Sequence, residues 1–137
     1  MIVLDTNVLS EPLKSLPDPK VMQWLDKQVA DTLFMTAISR AEIRFGVSRL
    51  PDGKRKAALA AQIELVLELF KDRLLDFDAA AADHLANIAT NCEKIGRVAK
   101  APDAYIAAIA SARGFAVATR NVSHFEHTGV PVINPWD

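Results

Sequence analysis

The sequence contains one cysteine, Cys92, among 137 residues. No internal disulfide can form, a reducing cytoplasm is the expected compartment, and a zinc site of the multi-cysteine kind is excluded. Neither sign of charge is in surplus: 16 Lys and Arg stand against 17 Asp and Glu, a formal charge of −1. That excludes a protein that coats nucleic acid by bulk charge and leaves a local basic groove open. Long hydrophobic runs are missing too. No stretch approaches the roughly 18 consecutive apolar residues of a membrane span, so no membrane association is expected. The opening Met1-Ile2-Val3-Leu4-Asp5 lacks a basic start and reaches an acid too early for a secretory leader. Internal repeats, low-complexity tracts and an interdomain linker are also absent. What remains is half apolar and 24% charged, a globular composition. Its length falls within the roughly 100–200 residues of one domain, so residues 1–137 are expected to form a single unit with an ordinary core.

Short apolar runs alternate with helical patterns along the chain. Ile2-Val3-Leu4 reads as a strand buried on both faces, Thr32-Leu33-Phe34-Met35, Leu74-Leu75-Asp76-Phe77 and Phe115 to Ala118 as further strands, and Val130 to Ile133 as a short fifth. Asp18-Pro19 marks a helix start, with Val21, Trp24, Leu25 and Val29 on one face. Thr36 can cap the next helix, expected to turn Ile38, Ala41 and Phe45 inward. After the Pro51-Asp52-Gly53 break comes a helix burying Leu59, Ile63, Val66, Leu67 and Phe70. Another, from about Ala79 to Ile95, presents Leu85, Ile88, Ala89, Cys92 and Ile95. The basic connector Gly96-Arg97-Val98-Ala99-Lys100 leads to a helix with Pro102 at its first position and its end at Gly114. Such alternation implies an α/β fold with a mostly parallel sheet of four to five strands flanked by helices.

In an open parallel sheet, ligands bind beyond the carboxyl ends of the strands. Asp5 follows the first strand, Glu42 lies about a turn and a half into the helix after the second, Asp103 opens the helix before the fourth, and Asn121 follows it. Each has a purely structural reading. Asp5 suits a turn or cap, Glu42 completes a capping box with Ser39, and Asp103 suits a helix N-terminus. Their conjunction adds a second reading. Carboxylates converging on one edge repel one another unless a cation joins them, and an all-oxygen set suits Mg²⁺ or Mn²⁺. His124 and His127, three apart, lack a nearby third ligand for zinc. Cys92 reads as inert core, and Trp24 and Trp136 as core or dimer packing.

Five segments in register over essentially the whole chain resemble one family. They are Met1-Ile2-Val3-Leu4-Asp5-Thr6-Asn7, Thr36-Ala37-Ile38-Ser39-Arg40-Ala41-Glu42, Pro102-Asp103-Ala104-Tyr105-Ile106-Ala107-Ala108, Ala118-Thr119-Arg120-Asn121 and Asn134-Pro135-Trp136-Asp137. The sequence is similar to the PIN-domain ribonucleases, and within them to the VapC and FitB-like bacterial toxins. The resemblance implies a three-layer PIN-like fold and an Mg²⁺- or Mn²⁺-dependent endoribonuclease. It implies a homodimer inhibited by a cognate antitoxin, through which alone DNA is met. It carries Asp5, Glu42 and Asp103 over as metal ligands, with Thr6, Asn7, Thr119 and Asn121 orienting waters and carboxylates. Arg40, Arg44, Lys100 and Arg120 are candidates for RNA phosphate contacts. One departure stands out: many members carry a fourth acid where this chain has Asn121, with His124 three residues on.

Other functions compete. A receiver-like phosphoacceptor domain would show an acidic pair after the first strand and a Lys after the last. A haloacid-dehalogenase-type phosphatase needs Asp-x-Asp, and here Asn7 stands in the second place. A catalytically weak PIN-like binding module is the third alternative, because Asn121 brings no charge.

Overall fold

The structure, a computed structural model, describes residues 1–137. Five strands, β1 (Ile2–Leu4), β2 (Leu33–Thr36), β3 (Leu74–Leu75), β4 (Ala116–Ala118) and β5 (Val132–Ile133), form one parallel sheet in the order β3-β2-β1-β4-β5. The central strand β1 sets Ile2 opposite both Leu33 and Ala116. Successive side chains on a strand face opposite sides, and both sides are apolar here. Val3 and Val117 enter one core, Leu4 and Ala118 the other.

Seven α-helices cover the sheet: α1 (Thr6–Ser10), α2 (Pro19–Asp26), α3 (Ala37–Ser48), α4 (Lys54–Leu69), α5 (Ala79–Lys94), α6 (Asp103–Arg113) and α7 (Val122–Phe125). One core gathers Val8, Leu9, Ile43, Val47, Ile63, Leu67 and Phe70 from α1, α3, α4 and the turn after it. The other gathers Ile88 and Cys92 of α5, Ile106 to Ala110 of α6, and Phe125 of α7. Helix, sheet and helix make the three expected layers. The alanines of α6 leave little side-chain bulk, so that helix is buried along most of its length.

Local chemistry sets the helix starts. Asp18 Oδ1 accepts from the Lys20 amide at 2.9 Å, with Pro19 in the first turn of α2. Thr36 Oγ1 accepts from the Ser39 amide at 3.1 Å, and Asp78 Oδ1 from the Ala81 amide at 2.9 Å. Gly114 closes α6 at φ 71°, a left-handed conformation that suits glycine.

The helical faces differ from the sequence pattern in several places. Ser39, Ile43 and Val47 form the buried row of α3, whereas Ala41 and Phe45 face outward. Phe45 is covered on one side by the Arg49 guanidinium, 5.4 Å from the ring centre. Val29 lies beyond α2 and is exposed, as are Ala89 and Ile95 of the α5 segment. In each case an apolar residue met a layer that ends one turn earlier or sits one position round the helix. Pro102 precedes α6 rather than opening it, and Thr36, not Ser39, caps α3, so the capping box between Ser39 and Glu42 does not form.

The strand order excludes the receiver-like alternative. A receiver fold runs 2-1-3-4-5, whereas here β2 and β4 flank β1. The crossovers leave β1 in opposite directions across the sheet, which places the switch point, and its crevice, beyond the carboxyl ends of β1 and β4. Asp5 and Thr119 are the first residues past those two ends.

Candidate active site

Strand β1 ends at Leu4, and the Asp5 amide still donates to Ala118 O at 2.9 Å, extending the β1–β4 ladder by one residue. This fixes the Asp5 backbone at the sheet edge. Its side chain is buried and surrounded by donors. Asp5 Oδ1 accepts from the Thr6 amide at 2.8 Å, and Oδ2 accepts from Thr119 Oγ1 at 2.6 Å and from Asn7 Nδ2 at 3.3 Å. Asp5 therefore is a helix cap, as its structural reading required, and also much more than a cap. The Thr6 amide uses only one oxygen, while the other takes a bond from β4 at a sequence distance of 114 residues.

Thr119 is fully buried, and its amide donates to Ile133 O at 2.9 Å. Its hydroxyl donates to Asp5 and accepts from the Asn121 amide at 3.0 Å. Asn7 links both: its Nδ2 reaches Asp5, and its Oδ1 accepts from the Arg120 amide at 3.3 Å.

Helix α3 brings Glu42 to the same edge. Thr6 Oγ1 donates to Glu42 Oε1 at 2.6 Å, and its remaining lone pairs face the Ser39 hydroxyl at 2.9 Å. A threonine has one hydroxyl proton, so Thr6 gives it to the carboxylate and Ser39 supplies the second bond. Ser39 is fully buried, yet nothing in its sequence setting distinguished it from a cap residue. Its signal was position: Ser39, Ile43 and Val47 fall four apart, on the face turned to the core.

Asp103, the first residue of α6, is the third carboxylate. Its Oδ2 pairs with His124 Nδ1 at 2.7 Å. A carboxylate only accepts, so the imidazole proton sits on Nδ1 in this pairing. His124 comes from α7, and this role was not legible in the sequence, where it stood beside His127 as a weak zinc pair. His127 is exposed with φ 68°, and no three His, Cys, Asp or Glu side chains close on a common point.

Asp5 and Glu42 sense the charges around them. Burial raises the Asp5 carboxyl above the ordinary carboxylate range; its hydrogen bonds oppose this and the Asp103 charge adds to it. Glu42 is raised as well, again chiefly by burial, opposed by the Thr6 hydroxyl and reinforced by the charges of Asp5 and Asp103. One oxygen each of Glu42 and Asp103 carries no protein hydrogen bond. This donor set is all oxygen, carries like charge and has open positions. It fits a hard divalent cation that keeps part of its water, for which a closed protein cage is not required.

The remaining predicted residues are scattered. Asn121 is exposed and contributes its amide, not its side chain, to the Thr119 hydroxyl. Arg120 lies with its guanidinium 5.4 Å from the Trp136 ring centre, beside the Asn7 linkage. Arg44 is engaged with Glu64 at 2.7 Å on the outer face of α3 and α4. Lys100 is exposed in the connector before α6, and Arg40 is half-buried on α3. A residue missed in the sequence is Glu11, buried just after α1. It pairs with Lys14 at 2.8 Å and accepts from the Asp18 amide at 3.0 Å, and Lys14 holds its carboxyl below the usual range. It ties the α1–α2 connection beside the site. A groove of about 890 Å³ runs from Thr6 and Glu42 between that connection, α3 and α4.

Comparison with known proteins agrees with this geometry. The model of the PIN domain matches residues 2–130. The VapC ribonuclease Y4jK of Sinorhizobium fredii is 45% identical over 100% of this chain and 99% of its own. Toxin FitB of Neisseria gonorrhoeae is 42% identical over 99% of both chains. The solved structure of FitAB bound to an IR36 DNA fragment contains a chain 41% identical, superposing with a TM-score of 0.96 over 100% of this chain and 96% of that one. By its strand order, by the carboxylates at the β1–β4 switch point and by these matches, the chain belongs to the PIN-domain family.

Proposed function

We propose that this protein is the toxin of a type II toxin–antitoxin pair, an endoribonuclease that hydrolyses phosphodiester bonds in RNA with the aid of Mg²⁺ or Mn²⁺. The observation that carries the reading is the placement of Asp5 and Glu42 on either side of Thr6, whose amide donates to one and whose hydroxyl donates to the other, with Asp103 near enough for its charge to reach both, although the three do not close on a common point. A ribonuclease and a toxin, both more than 40% identical over nearly the full chain, support it.

Asp5 and Asp103 would hold the cation, directly or through water, with Glu42 beside it. When bound, such an ion lowers the pKa of water and offsets charge on the phosphoryl oxygens in the transition state. The protein does the rest. Thr119, Asn7 and the Thr6 amide fix Asp5 in one orientation, which removes the reorganisation that a mobile carboxylate would require. Thr6 fixes one oxygen of Glu42 and leaves the other to accept a proton from the attacking water. The water oxygen joins phosphorus, one ribose oxygen leaves, and an RNA strand becomes two.

The antitoxin would engage the groove that opens at Thr6 and Glu42, with a cationic side chain reaching the carboxylates in place of the metal. A homodimer is part of this proposal, as is contact with DNA only through the antitoxin.

The test is purified protein, freed of antitoxin, incubated with RNA and either Mg²⁺ or Mn²⁺, or with chelator. Cleavage is expected only with the ion. Saturating Mg²⁺ should also stabilise the fold by up to about 2.7 kcal/mol at a hundredfold excess over its dissociation constant, read from thermal melts. Activity that survives complete chelation, or that requires zinc, overturns the reading.

A further inference from the structure

Beside the carboxylates, on the side of the sheet opposite the groove just described, lies a separate cavity of about 320 Å³. It is bounded by the end of α5, the basic connector between α5 and α6, and α7. Cys92 and Ala104, both buried, form its inner wall. Arg97, Lys100 and His124 line it, with Glu126 as the one acid.

Three features distinguish this cavity from an ordinary surface hollow. First, His124 belongs to both places: it lines the cavity and its Nδ1 holds Asp103 at 2.7 Å. Whatever fills the cavity therefore stands one imidazole ring away from a catalytic carboxylate. Second, Arg97 and Lys100 make no ion pair with any carboxylate, as is true of most Lys and Arg in the chain, and both line this one cavity. The cavity thus presents two free cations against one acid, in a protein of net charge −1. Third, the connector is anchored at both ends. The Arg97 amide donates to Cys92 O at 2.9 Å, and Lys100 O accepts from the Ala104 amide at 2.8 Å. The two cations are thereby carried on a braced segment. A volume of about 300 Å³ is at the lower end of small-ligand pockets, the size of a nucleotide rather than of a helix.

We infer that this cavity is the subsite for an RNA nucleotide flanking the scissile bond, with Arg97 and Lys100 on its phosphate and the small inner wall of Cys92 and Ala104 under its base. The inference rests on the ribonuclease reading and adds where the strand leaves the catalytic edge. Phosphate contacts to Arg and Lys fix the register of a strand on a protein without reading its sequence. Here they would set which phosphate stands over Asp5, Glu42 and Asp103. Arg97 and Lys100 are positioning residues in this scheme.

The experiment uses the full chain carrying Asp5→Asn, so that bound RNA is not consumed. A fluorescent single-stranded RNA is titrated with this protein, alone and with Arg97→Gln and Lys100→Gln together, at several salt concentrations. Single strands give a salt slope of about −0.7 per phosphate neutralised, so the double change should flatten the slope by about 1.4 and weaken binding. Ser123→Trp, at a cavity-lining residue that is exposed, fills the space with all charges intact and should also weaken binding. With Asp5 restored, the double change should raise KM for RNA and leave kcat near its parent value. It should leave KM unchanged for a dinucleotide too short to reach the cavity. An unchanged salt slope, equal losses on long and short substrates, or a loss confined to antitoxin binding overturns the subsite and leaves the ribonuclease reading intact. A parent protein that neither binds nor cleaves RNA overturns both.

Discussion

Asp5 and Asp103 carry the same functional group and are held in opposite ways. Asp5 is buried at the end of a central strand, with both oxygens engaged by an amide, a hydroxyl and a carboxamide. Asp103 opens a helix, keeps part of its surface exposed, and has one imidazole on one oxygen. The difference shows where rigidity in this site originates. On the Asp5 side it is built into the sheet, because β1 and β4 are hydrogen-bonded neighbours and their first residues beyond the ladder are Asp5 and Thr119. On the Asp103 side it depends on a four-residue helix and a solvent-exposed ring. On the proposed reading, a bound cation would have one fixed carboxylate and one adjustable one, which suits a site that must let product go.

Several substitutions break or sharpen this contrast. Asp5→Asn should have the largest effect: no measurable RNA cleavage at saturating Mg²⁺. Asparagine keeps one acceptor oxygen, enough for the Thr6 amide or for Thr119 and Asn7 but not for both, so the change removes charge together with one of these hydrogen-bond sets. An active Asp5→Asn protein would reduce Asp5 to its capping role.

The same substitution should compare better with the parent in metal-free melting temperature as pH rises, because it removes a buried charge that opposes folding only when ionised. Asp5 and Glu42 are both raised in the folded state. The stability that goes with a raised carboxyl is fully present below its unfolded pKa and is lost as pH rises through its folded one. The metal-free parent should therefore lose stability from the ordinary carboxylate range upward, and Asp5→Asn should flatten that loss. Melts at a series of pH values in chelator check it. A parent curve that rises with pH over that window would show that the carboxylates are not in conflict.

Thr119→Val comes next. It removes the hydroxyl that holds Asp5, and loss of such an orienting partner typically costs about 10–100-fold in metal affinity or activity. Mg²⁺ titration by calorimetry and a cleavage assay read both. Thr6→Val should fall in the same range through Glu42. His124→Ala should have the smallest effect, less than about tenfold on Mg²⁺ affinity, because the ring is exposed and water can take its place on the half-buried Asp103 carboxylate. If His124→Ala proves as damaging as Thr119→Val, the two sides of the site are equally rigid and the contrast fails.

Legibility followed the same division. The strands, the caps at Asp18 and Thr36, and the row Ile63, Val66, Leu67 and Phe70 were all visible, because each is set by local apolar spacing or by one capping side chain. The inward face of α3 was not. Ala41 and Phe45 are more apolar than Ser39, and only the packing of α3 onto β2 and α1 makes Ser39 the buried member. The partner of His124 was hidden for a related reason. It lies 21 residues away, and a histidine beside another histidine gives no hint of it. Arg97 stood in the basic connector without a role until the fold put a cavity beside it.

By itself, the sequence determined the parallel α/β architecture, which depends on features local to a few residues, buried apolar runs and the polar residues that end them. It also singled out Asp5, Glu42 and Asp103 as candidates, from their places at strand ends and helix starts together with the family resemblance. The tertiary structure decided what those carboxylates feel. The Thr119 hydroxyl reaches Asp5 across 114 residues, Thr6 reaches Glu42 across 36, and His124 reaches Asp103 from another element. Hydrogen bonds of that kind depend on crossovers that no local pattern encodes. Burial and mutual repulsion, which raise Asp5 and Glu42, exist only once the strand order has brought the ends of β1 and β4 together.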